Sequence, residues 1–150
     1  MIEITNLEQK QLSLLRHLKI AGEKLFKLKI HNDLSPIGWH IIHCLYVECI
    51  WIRSQFLDDN EIVNKLKDTA DAINIKPENR GLNLPNYEYL YKFIRSEFKK
   101  NLIFIQSIKE NKKVDYFYET PNQKEERFYF YISIPIQIYS KIFYFCNHLL

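Results

Sequence analysis

The chain has 150 residues, 47% hydrophobic, 15% aromatic and 26% charged, with three Gly and five Pro. That composition excludes wholesale disorder, collagen-like repeats and a many-stranded fold with a turn every ten residues, and the length suits one domain, residues 1–150. The formal charge of +3 comes from basic residues scattered among acids, with no basic stripe, which excludes a nucleic-acid binder.

Ile4, Leu7, Gln11, Leu14, Leu18, Ala21, Leu25 and Leu28 alternate spacings of three and four, a heptad-like seam with one polar interruption. Charged residues fill the other faces. The pattern predicts a helix from Asn6 to Ile30, followed by a short connection, His31 to Leu34. Ser35 and Pro36 then open a second helix, Ser as N-cap and Pro at the first helical position. Between Ile37 and Ile52 the only strongly polar side chains are His40, His43 and Glu48. A helix so apolar is expected to be central and buried, ending near Leu57 to Asn60.

Glu61 to Asp71 suits a short helix. Ile73 to Pro85 carries two Pro, a Gly and three Asn and reads as a long crossover loop. A third long helix starts at Asn86 and runs to Glu110, with Leu90, Ile94, Phe98, Leu102, Ile105 and Ile108 at helical spacing. Asn111 to Glu126 is a polar link containing Pro121-Asn122, and a last helix follows from Glu126. The expected fold is all-α: a four-helix bundle with a long crossover between its second and third long helices.

From Phe128 to Leu150 there are 23 residues, 16 of them apolar, with Lys141 as the only formal charge. That length would suit a tail anchor. Lys141, Gln137, Pro135, Ser133 and Ser140 argue instead for a buried bundle helix. At the other end, Met1 to Ile4 lacks the basic start and apolar run of a signal peptide. Cys44, Cys49 and Cys146 are odd in number, form no CxxC and sit in apolar surroundings, as buried free thiols of a cytoplasmic protein do.

His40 and His43 are the first candidates for chemistry. At i and i+3 they lie about 60° apart around a helix, so either can face the bundle interior. Two readings stand: metal ligands in a bundle core, or core histidines bonded to backbone or side-chain partners. Glu48 lies about 140° from His43 and is expected to pair with a basic residue of another helix. Cys44 and Cys49 fall on different faces and read as structural. The eleven Tyr and Phe residues between Tyr116 and Phe145 read as core and interface. Arg80-Gly81 either clamps the crossover loop or meets an anion, and clamping is the expected role. No P-loop, GxGxxG, GxSxG or HExxH motif occurs.

The run Ser35-Pro36-Ile37-Gly38-Trp39-His40-Ile41-Ile42-His43, continued by Tyr46, Glu48 and Trp51, resembles the SPxxWHxxH segment of DinB-like metalloprotein domains. The nearest likeness is to the N-terminal domain of ergothioneine sulfoxide synthases and their ovothiol and selenoneine relatives. The run Arg80 to Pro85 is similar to the loop before that family's third helix. The resemblance covers Asn6 to Glu110. It implies a four-helix bundle and a three-histidine site for iron, zinc or nickel, with His43 at the ligand position of the second helix. The other two ligands come from an HxxxH pair on the fourth helix.

This chain has no HxxxH. Matching Gln137 to the glutamine that often precedes the pair puts Ile138 and Ile142 at the two ligand positions. The last helix keeps one histidine, His148. Nor does the chain reach the larger C-terminal catalytic domain that the family's synthases carry. The expectation is therefore a stand-alone DinB-like domain with a degenerate metal site, non-catalytic and acting through packing, as a homodimer. It would be either a module retained for binding or a truncated remnant. The alternative is a metal-dependent enzyme using His43 with His40 or His148: part of an iron-dependent thiol–histidine sulfoxide synthase, or a thiol transferase with a small-molecule thiol as partner. A tail-anchored membrane protein is the third reading.

Overall fold

The computed structural model describes residues 2–31, 34–110 and 130–142. Among them all regular structure is helical, and no strand occurs. Helix α1 spans Ile2–Leu25. Helix α2 spans Ile37–Cys49 and continues through a wider π turn, Ile50–Ser54, into a last α turn, Gln55–Leu57. Helix α3 spans Glu61–Ala70, α4 spans Tyr87–Glu110, and α5 covers residues 130–142. A 3-10 turn, Pro77–Asn79, lies in the connection before α4.

The seam of α1 packs as its spacing implies: Leu7, Leu14 and Leu18 are fully buried, and so is the polar interruption Gln11. The expected end of that helix at Ile30 is corrected. Gly22 takes φ 60 and ψ −173, a left-handed backbone value that only glycine adopts freely, and it breaks the helical path. Beyond it Phe26, not Leu25 or Leu28, turns into the core, and the Phe26 carbonyl accepts the Gly38 N–H at 2.9 Å. The start moves as well, from Asn6 to Ile2.

Helix α2 begins one residue later than the Ser35-Pro36 signal suggested. Pro36 holds φ −59 and ψ 151 and itself occupies the cap position, its carbonyl accepting the His40 N–H at 3.1 Å. Every residue of α2 is buried except His40 and His43, so the helix is central, as its composition implies. Asp58 ends its continuation in the left-handed conformation (φ 52), which aspartate tolerates better than most residues.

Ile62, Leu66 and Ala70 recur every fourth residue and form the buried face of α3, which packs on α2. In the connection between α3 and α4, Asp71 accepts the Ile73 N–H at 2.9 Å and the Asn74 amide at 2.6 Å. Arg80 clamps the loop, Nε donating to the Ile75 carbonyl at 3.2 Å and Nη2 to that of Ala72 at 3.0 Å. Gly81 has φ +94 and lies so close to Pro36 that an added Cβ would stand 2.6 Å from the proline ring. Asn86 caps α4 by accepting the Tyr89 N–H at 2.9 Å.

Ile41, Leu45 and Ile52 from α2 and its continuation, Leu90, Ile94 and Phe98 from α4, and Ile132 and Tyr139 from α5 complete the core. Among the described residues no helix is long and apolar enough to cross a membrane. The polar link Asn111 to Glu126, the start of the last helix at Glu126, Cys146 and His148 lie outside the described residues.

Candidate functional site

Two polar centres flank α2. The first holds the histidines read from the sequence. Neither points into the centre where α1, α2, α4 and α5 meet their polar partners. His43 Nδ1 lies 2.8 Å from the Ala70 carbonyl at the end of α3. A carbonyl only accepts, so Nδ1 carries the proton and Nε2 keeps its lone pair. The His43 ring stacks on Trp39 at 5.0 Å and 7°, and His40 meets the same indole edge-on at 5.5 Å. The Arg80 guanidinium covers the Trp39 ring at 4.4 Å.

Burial pushes His40 down from 6.5 to about 4, helped by the positive fields of His43 and Arg80. Burial also lowers His43. Arg80 adds to this, while the Ala70 hydrogen bond and Asp71 pull the other way. Both imidazoles are therefore neutral at pH 7. The Trp39 Nε1 is buried and meets no acceptor among the described residues.

The second centre was only half legible in the sequence. Glu48 is fully buried. Its Oε1 accepts from Gln11 Nε2 of α1 and from Asn101 Nδ2 of α4, both at 2.7 Å. Its Oε2 accepts a short hydrogen bond from the Tyr139 hydroxyl of α5, which also lies 3.4 Å from the Cys44 carbonyl. The expected basic partner of Glu48 is thus corrected to three uncharged donors. The one buried guanidinium nearby, Arg53, is held by Asn101 Oδ1 at 2.5 Å and by Glu97 at 2.7 Å. The π turn brings Arg53 into the core, and Lys100 closes the row on the other oxygen of Glu97 at 2.7 Å.

Desolvation lifts the Glu48 carboxyl from 4.5 to about 7, against the pull of its three donors and Arg53. The same burial raises Tyr139 well above its usual range and pushes the Cys49 thiol up to about 12, so that thiol is inert near neutral pH. Cys44 and Cys49 are both buried, as expected.

Tyr139, Asn101, Arg53 and Glu97 were not singled out by sequence reasoning. A signal existed for two of them. Glu97 and Asn101 stand four apart beside the apolar seam of α4, polar interruptions of the kind Gln11 makes in α1.

A three-histidine metal centre does not fit the described residues. No three His, Cys, Asp or Glu side chains among them are placed to hold a metal ion. Ile138 and Ile142 pack against the apolar core, and neither side chain can ligate. No family model, no curated protein and no solved structure matches this chain.

Proposed function

We propose that the chain is a DinB-like four-helix bundle with a long crossover, non-catalytic and acting through packing as a homodimer. The observation that carries the reading is the closure of the Glu48 centre. All three donors that reach the carboxylate are the protein's own side chains, from three different helices. A catalytic carboxylate needs substrate or water within reach. Glu48 is fully buried and ties helices together instead. The apolar packing of Ile138 and Ile142 supports the same reading.

A second reading has one specific observation behind it. Metal-bound histidines characteristically donate the second ring N–H to a carbonyl or carboxylate, which fixes the tautomer. His43 does this with Ala70 and is neutral, leaving Nε2 as a possible ligand atom. A metal-dependent enzyme of the same superfamily would then complete its site with His40, with His148 or with residues of a second chain.

One experiment separates them. Protein purified without chelator and without a histidine tag is analysed for iron, zinc and nickel, alongside His43→Ala. The first reading expects less than roughly a tenth of an equivalent in both. Stoichiometric metal that disappears in His43→Ala overturns it in favour of the second. Light scattering on the same samples tests the dimer.

A further inference from the structure

Of the eleven large hydrophobic side chains exposed among the described residues, five lie on two segments: Leu25, Leu28 and Ile30 after the break in α1, and Ile73 and Leu82 in the connection before α4. Ile73 is 93% exposed and Leu82 72%, the two highest values among the eleven. The two segments are joined. Lys29 Nζ donates to the Pro77 carbonyl at 3.1 Å, and Pro36, at the entry to α2, fills the space beside Gly81.

The same two segments carry five bases and two acids: Lys24, Lys27, Lys29, Lys76 and Arg80 against Glu23 and Glu78. Lys24, Lys27 and Lys76 are exposed, and Lys27 lies along the Phe26 ring with its ammonium 5.4 Å from the ring centre. Long aliphatic stems carry these charges outward beside the exposed aliphatics.

We propose that these two joined segments, residues 23–31 and 73–82, form a docking surface for an anionic lipid bilayer. Two features decide for lipid over a protein partner. The aliphatics stand on two separate segments, three on one and two, nine residues apart, on the other. A fluid interface accepts such isolated tips, whereas a protein partner needs a continuous, complementary core. The lysines surrounding them match the negative surface of a bilayer containing anionic lipid, where each basic residue near the headgroups adds to binding. The contact is peripheral, and no segment need cross the membrane.

The test is co-sedimentation of the full chain with vesicles of phosphatidylcholine alone and with about 30% phosphatidylserine. The proposal expects at least tenfold stronger partition onto the anionic vesicles, weakening as salt rises. Ile73→Asp with Leu82→Asp, and separately Lys27→Glu with Lys76→Glu, each reduce it about tenfold or more. All four positions are exposed, and unchanged circular dichroism confirms folding. Equal or no binding to the two vesicle types overturns the proposal. So does anionic binding that survives both double variants, or a purified acidic protein that docks on this surface while vesicles do not.

Discussion

Glu48→Gln should stabilise the protein at pH 8. The Glu48 carboxyl ionises near 4.5 in the unfolded chain and near 7 in the fold, chiefly because burial penalises its charge. Below pH 4.5 both states are protonated and the group has no net effect. Between 4.5 and 7 the unfolded chain releases the proton while the fold retains it, so stability falls as pH rises. Above 7 the full penalty, roughly 3 kcal/mol, is in place. The neutral form has its own hydrogen-bond path: Glu48 donates to the Tyr139 oxygen, and Tyr139 donates to the Cys44 carbonyl 3.4 Å away.

His40 has the opposite effect. It is neutral in the fold down to about 4 and charges at 6.5 when unfolded, so stability falls as pH drops through that window. The two trends overlap and largely cancel in the wild-type curve. The Glu48 effect is therefore read from the difference between wild type and Glu48→Gln, by urea denaturation followed with circular dichroism from pH 4.5 to 8. The gap is expected to move in favour of the variant by roughly 3 kcal/mol across that range. A gap that stays constant, or that moves toward the wild type as pH rises, refutes the account of the Glu48 centre.

Three further outcomes follow from the same geometry. Arg53→Ala leaves the Glu97 carboxylate buried with Lys100 as its remaining charged partner, and should lower stability by about 3 kcal/mol in denaturant titration, whereas Arg53→Met with Glu97→Leu should recover most of that loss. Tyr139→Phe removes the hydroxyl linking α5 to Glu48, and should lower stability by about 1–2 kcal/mol and speed amide exchange in residues 130–142 more than elsewhere. Gly81→Ala combines a φ of +94 with a Cβ 2.6 Å from Pro36, and should cost about 2 kcal/mol or more and release the Arg80 clamp, seen as proteolytic cleavage in residues 72–82.

The helices were legible because their signals are local. The three–four spacing from Leu7 to Ala21 and the helical spacing from Leu90 to Ile105 after Pro85 each act within a few residues of sequence. The break at Gly22 was missed because the apolar spacing continues through it to Leu25 and Leu28, and only the structure shows Phe26 taking their place in the core. The central position of α2 was readable from its lack of polar residues. The orientation of its histidines was not, since that depends on α3 supplying the Ala70 carbonyl. For Glu48 the need for partners was clear from the chemistry of a buried carboxylate. Their identity was not, because Gln11, Asn101 and Tyr139 lie 37, 53 and 91 residues away in sequence. Arg53 was hidden by the π turn, which shifts the helical register that any spacing argument assumes.

In the proposed reading the helices are held together by their own side chains and not by a metal. Thermal unfolding with added ferrous iron, zinc or nickel, compared with the chelator-treated protein, tests it most directly. A metal bound only by the fold and present at a hundred times its Kd would add about 2.7 kcal/mol, several degrees in Tm. The Tm should stay unchanged within about 1 °C for each metal. A rise of about 4 °C or more that His43→Ala abolishes would contradict it.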